Sequence, residues 1–316
     1  CSARSTSGDA QGGAIFSNGD TEIIDTVIRS SSVQSLSGEA RGSAIYATRG
    51  ALELTRVRVL FNSSAGETLA SGAVELAAGT SLVAVDVEFS NNVTTSNGSA
   101  TGGGGIYATQ AGVTLSRASF TGHNAQTGVA VLVDRGGLNI QNASFYRNVA
   151  PSIAIGFPAA VTTSAATSIR HAAFWENSGH FVNLDGTISG FSGNVFVAPN
   201  VCGGIFQRMP IAARANFGTG SCADGPSFSG ADPRVEAFGR VGPTDAVPVI
   251  TFGDGSPVRD AYGVVAPSLS DFNLPAEQDA RQQSRPRDDD GNGFAEADAG
   301  PTESARLILV FRNGFE

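Results

Sequence analysis

The sequence predicts an all-β fold: a right-handed parallel β-helix of about seven coils of ~30 residues, followed by an irregular C-terminal region. Three observations lead there. One segment recurs at a fixed offset. Apolar residues alternate with a spacing of two inside short runs. Large apolar residues then return about once every ~30 positions, the length of one solenoid coil.

The first element is the recurring segment. Ser5-Thr-Ser-Gly-Asp-Ala-Gln-Gly-Gly-Ala-Ile15 returns as Ser35-Leu-Ser-Gly-Glu-Ala-Arg-Gly-Ser-Ala-Ile45, and more loosely from Ser96 to Ile106. The first copy is already a loop between strands, so the array is expected to start partway through.

The second element follows each copy. Its pattern is apolar-x-apolar-x-x-small-x-large apolar-x-x-Asn. Examples are Leu52-Leu54-Val57-Val59-Asn62 and Leu138-Ile140-Ala143-Phe145-Asn148, with a degraded copy at Phe191, Asn194 and Phe196. Alternation by two means strands with one face inward. A single coil cannot bury its inner face, so coils stack and share a core. Ile28, Val59, Phe89, Phe120, Phe145 and Phe174 are therefore expected in one internal column. The Asn three places after each anchor is expected to form a ladder at one corner, because Asn tolerates left-handed backbone and its amide bonds main chain.

Gly12-Gly13-Ala14-Ile15, Phe89-Ser-Asn-Asn92, Phe145-Tyr-Arg-Asn148 and Phe174-Trp-Glu-Asn177 resemble the repeats of bacterial polymorphic outer-membrane proteins and related secreted β-helix proteins. The resemblance covers residues 1–200 apart from the first few. It implies the fold and a bacterial surface setting.

Beyond residue 200 the rhythm stops. Residues 201–304 read as a loop-rich region packed on the last coil, with short strand-like runs such as Val247-Pro-Val-Ile-Thr-Phe252. Glu277 to Arg287, the acidic loop Asp288 to Asp298, and Gly253 to Asp260 resemble the end of choice-of-anchor Q domains. This chain departs from that pattern at Gln283 and Thr302. The resemblance implies export without implying a reaction. Residues 305–316 read as a closing strand or a sorting tail.

Charge and cysteine usage bound the function. Net charge is −9, with 20 basic residues, all Arg, and no basic stripe. That argues against nucleic acid and anionic lipid as partners. No apolar run is long enough for a membrane helix. Cys202 and Cys222 are expected to form a disulfide, as in an oxidising compartment. Cys1 reads either as a lipid-bearing first residue or as the start of a fragment, and the truncated array favours the fragment.

Candidate chemistry is sparse, and no catalytic residue is expected. The second outward position of successive coils reads Asp25, Arg56, Asp86, Arg117, Asn142 and His171, with Arg58 and Glu88 one strand position later. Acid and base alternate, so neighbouring coils should pair them. A pectate-lyase-like site would instead leave carboxylates clustered around Ca²⁺. His171 and Trp175 are expected to flank an outward patch with Tyr146 and Arg147. His123 reads as a turn residue. The loop Asp288-x-Asp290-x-Asn292-Gly293 has oxygen ligands at alternate positions and a Gly for the sharp turn. Phe294 would add its carbonyl, and Glu296 or Asp298 a carboxylate, making a weak structural Ca²⁺ site. The expected function is an exported, secreted or cell-surface, non-catalytic solenoid for display or adhesion, its partner a cell-surface glycan or protein. The alternative is a polysaccharide-binding or polysaccharide-cleaving β-helix.

Overall fold

The computed structural model describes residues 1–96, 100–150, 161–164, 166–178, 181–183, 187–197, 202–203, 216–219, 228–229, 231–240, 247–253, 255–258, 279, 281, 283 and 301–302. Among these residues there is no helix. Parallel strands stack as a β-solenoid of about five turns.

Each early coil has three faces. Ser2–Ser5, Ser32–Ser35, Ser63–Gly66 and Val93–Ser96 form one four-stranded sheet. Ala10–Gln11, Glu39–Arg41, Leu69–Ser71 and Ala100–Gly102 form a second. The third and largest sheet carries the anchor residues. The copied segment pairs with itself one coil on, Ser5 with Ser35 and Ile15 with Ile45. Glycine is required where this segment turns. Gly42 and Gly103 have φ of 57° and 61°, and a Cβ there would meet the carbonyl oxygens of Ile45 at 2.3 Å and Ile106 at 1.9 Å.

The predicted column exists. Ile28, Val59, Phe89, Phe120, Phe145, Phe174 and Phe196 are in register, one per coil. Ring centroids lie 4.9, 5.0, 4.6 and 4.7 Å apart from Phe89 to Phe196, with planes within 8° of parallel. That spacing is set by the parallel strands, about 4.8 Å apart. All five rings are fully buried, each worth about 1.5–3 kcal/mol of burial.

The described residues show about five turns against the seven expected, and the later coils are shorter. From Phe120 to Phe145 the two side sheets shrink to single bridges at Asn124 and Thr127. At Asn194 the coil offset is down to 22 residues. The anchor strands grow as the sides shrink: Ile106–Thr121 and Val131–Tyr146 are each 16 residues long. Parallel pairing runs past residue 200, as far as Phe228–Ser229. Then Val235–Gly239 and Val249–Phe252 form an antiparallel pair.

The ladder is real, although its backbone differs from expectation. The left-handed residue is the one before each ladder residue: Phe61, Asn91, Gly122, Arg147 and Glu176 have φ between 50° and 64°. The Asn side chains instead point inward. Asn62 donates from its backbone N–H and its Nδ2 to Asn92 Oδ1, both 2.9 Å, and Asn148 does the same to Asn177 at 3.0 and 2.9 Å. Each Nδ2 also donates to an anchor carbonyl of the preceding coil, as Asn148 does to Phe120. His123 is a ladder member as well as a turn residue. It is 1% exposed, and its N–H donates to Asn148 Oδ1. Asn194 and Asn216 start a second ladder at the preceding corner.

Candidate ligand-binding face

The outward row begins at a backbone corner. Asp25, Arg56, Asp86, Arg117, Asn142 and His171 all have φ between 49° and 55°, a conformation costly for residues other than glycine. It persists because main-chain bonds to the next coil fix both sides, such as Asp25 N–H to Thr55 O and Arg56 N–H to Val85 O.

The corner splays these side chains along one face, where acid and base pair as the alternation predicts. Arg56 donates from Nε and Nη2 to the two oxygens of Asp25, at 2.6 and 2.8 Å. Arg117 does the same to Asp86 at 2.6 and 2.9 Å. Arg58 Nε donates to Glu88 Oε2 at 2.6 Å. The Arg56 guanidinium holds the Asp25 carboxyl below its ordinary pKa, chiefly through this hydrogen bond. The Asp86 carboxylate raises Arg117 in the same way. Asn142 and His171, at the far end of the row, are buried, contrary to their expected outward exposure.

Burial at that end has a visible source. The antiparallel pair of the C-terminal region lies on the outside of the coils there. Ile250 N–H donates to Ser144 Oγ at 3.0 Å. Phe238 stacks on Tyr146 with centroids 4.5 Å apart, and Tyr146 packs on Trp175 at 4.9 Å. Ala173, Val195, Phe217, Ile250, Phe252 and Val258 form a second apolar cluster beneath and around it. The expected Tyr146–Trp175 patch is thus covered by Phe238, and His171 does not flank it as an exposed group. Arg147 remains at the edge, over the Tyr146 ring at 4.9 Å and paired with Glu176 at 2.6 Å.

Where the cover ends, a cleft opens. Its volume is about 350 Å³, and it is lined by Asp25, Thr26, Val27, Arg56, Arg58, Asp86, Glu88, Arg240 and Val247. Arg240 crosses from the C-terminal region to bond Glu88 Oε2, which then carries two guanidinium groups. Sequence reasoning named the coil side of this cleft and missed Arg240 and Val247. The available signal was the pair of large aromatics, Tyr146 and Trp175, at an outward position where earlier coils carry Ser90 and Thr121.

A second polar cluster was also missed. Glu75 is 1% exposed, bonded by Arg41 Nη1 and by Ser71 Oγ, and Arg41 also pairs with Glu39. Burial pushes the Glu75 carboxyl up, with Arg41 opposing that shift. Tyr46 and Tyr107 occupy the same row in the coils on either side. The cluster holds two carboxylates against one guanidinium, with Glu75 buried and Arg41 and Glu39 partly exposed at its rim.

The expected Ca²⁺ ligands, Asp288, Asp290, Asn292, Phe294, Glu296 and Asp298, lie outside the described residues, as do His180 and Cys222, the expected partner of Cys202. Among the described residues no helix is long and apolar enough to cross a membrane. Comparisons with known protein families, with curated proteins and with solved structures gave no match.

Proposed function

We propose that this chain is an exported, non-catalytic β-solenoid that acts as a surface display or adhesion module, with a cell-surface glycan or protein as its partner. The observation that supports this reading most is the pairing on the outer face. Asp25, Asp86 and Glu88 each bind a guanidinium. A carboxylate held this way is a poor general base, because its lone pairs are occupied by the guanidinium donors. A second reading, polysaccharide binding, is favoured by the cleft, whose volume falls within the range of small-ligand sites.

Purified chain should be incubated with pectate and alginate, with and without millimolar Ca²⁺, and assayed for new reducing ends and unsaturated products. No turnover is expected, and binding to a glycan array or to intact cells is. Turnover that depends on Asp86 or Glu88 would overturn the non-catalytic reading.

A further inference from the structure

We infer that the cleft is a subsite for one neutral sugar ring, which it holds by two adjacent hydroxyl groups between Arg58 and Glu88. This deepens the glycan-binding reading of the same face and rests on it.

One outward row supplies the recognition. Val27, Arg58 and Glu88 are register partners on three successive coils, so their side chains leave the sheet about 4.8 Å apart. The row runs from an apolar group to a donor to an acceptor, and all three line the cleft. Val27 is 50% exposed and offers a seat for the C–H face of a ring. Arg58 is engaged through Nε, which donates to Glu88 Oε2. Its two terminal nitrogens bond nothing else among the described residues, and its side chain is 47% exposed. Both guanidinium groups on Glu88, those of Arg58 and Arg240, meet at Oε2. Oε1 is left to accept from a ligand.

A free donor beside a free acceptor selects the chemistry of that ligand. A cation placed there meets Arg58 and an anion meets Glu88, so either charge is opposed. Two vicinal hydroxyls satisfy both positions. One oxygen accepts from a terminal N–H of Arg58, and its neighbour donates to Glu88 Oε1. The Arg58–Glu88 bond and the low exposure of Glu88, 12%, fix the pair before a ligand arrives, so little side-chain freedom is lost on binding. Arg240 acts as a wall that holds Glu88, and no donor is required of it. At about 350 Å³ the cleft lies at the small end of ligand sites, which suits one ring.

Titration calorimetry on the full chain tests this with the methyl glycosides of galactose, mannose and xylose, each with its hydroxyls free and with all of them methylated. At least one free glycoside should bind in the millimolar range, and the methylated forms, which cannot donate, should give no heat. Affinity should stay within about two-fold from low salt to half-molar NaCl, since the ligand carries no charge to screen. Arg58→Met should weaken binding at least ten-fold. Glu88→Gln should do the same, because the amide oxygen turns to the guanidinium groups and leaves N–H facing the ligand. Val27→Asp, at an exposed position, sets a carboxylate against the free nitrogens of Arg58 and should abolish binding. Glu53→Gln, exposed on the coil face outside the cleft lining, should leave it unchanged. Circular dichroism should stay that of the parent chain for all four. No heat from any free glycoside overturns the subsite, as does binding that survives the Arg58, Glu88 and Val27 substitutions. Glycan-array binding without monosaccharide heat would sink the subsite alone. Reducing ends released from pectate would overturn the non-catalytic reading and leave the subsite standing.

Discussion

His123 Nδ1 lies 3.2 Å from the backbone nitrogen of Asn92, in the place where neighbouring coils put an asparagine oxygen. The Asn92 carbonyl already accepts from Asn124 N–H. Nδ1 is therefore the acceptor, and the proton of the neutral ring sits on Nε2, which is buried and finds no hydrogen-bond partner among the described residues. Burial of the ring holds its pKa down to about 4, against an ordinary value of 6.5.

A pH dependence follows from that ring. Between its folded and unfolded pKa values the unfolded chain binds a proton that the folded chain does not. The stability it supports is fully present above about pH 6.5 and is lost as pH falls toward about 4, by up to about 3 kcal/mol. His123→Asn should restore the standard ladder and flatten this slope. Urea melts at several pH values check it, and an unchanged slope in the variant refutes it.

The aromatic column makes a second prediction. Phe120 is fully buried between Phe89 and Phe145. Phe120→Ala should cost about 3–5 kcal/mol, and Phe120→Leu clearly less, because the coil spacing is fixed by main-chain bonds and the cavity cannot collapse. Chemical denaturation of both variants measures the difference.

Phe61 supplies a third. It stands at φ 55° and is 54% exposed. Left-handed backbone costs a bulky residue about 1–2 kcal/mol. Phe61→Asn should therefore raise stability by about 1 kcal/mol. A loss of stability would show that the exposed ring makes a contact worth more than the backbone strain.

The acidic C-terminal loop supplies a fourth. If Asp288, Asp290 and Asn292 hold Ca²⁺ with Phe294 and Glu296 or Asp298, added Ca²⁺ should raise the melting temperature by mass action, with a dissociation constant near 10⁻⁴–10⁻³ M. Asp290→Ala should remove that rise and leave the β signal intact. Mass spectrometry without reductant should find Cys202 and Cys222 joined. An unchanged melting temperature at millimolar Ca²⁺, or two free thiols, decides against each.

The column, the ladder and the paired row were legible because each repeats at a near-constant offset, so one alignment of the chain with itself places all three. Repetition did not indicate which residue took the left-handed turn: Phe61 and Glu176 are chemically unlike Asn91, and only the backbone shows that they share a role. The cleft was half legible. Its coil side lies on the repeat, whereas Arg240 reaches Glu88 across 152 residues from a segment with no period. The Phe238 cover over Tyr146 was hidden for the same reason.

The alternation of Asp25, Arg56, Asp86 and Arg117 imposes a parity on the molecule's growth. Excising residues 26–56, one coil, would keep every strand in register yet set Asp25 beside Asp86 at a corner with no guanidinium between them. Excising residues 26–86, two coils, would bring Asp25 against Arg117 and restore the pair. In this stretch the backbone repeats every coil but the charge pattern every second one, so lengthening or shortening by even numbers of coils is the path that electrostatics leaves open.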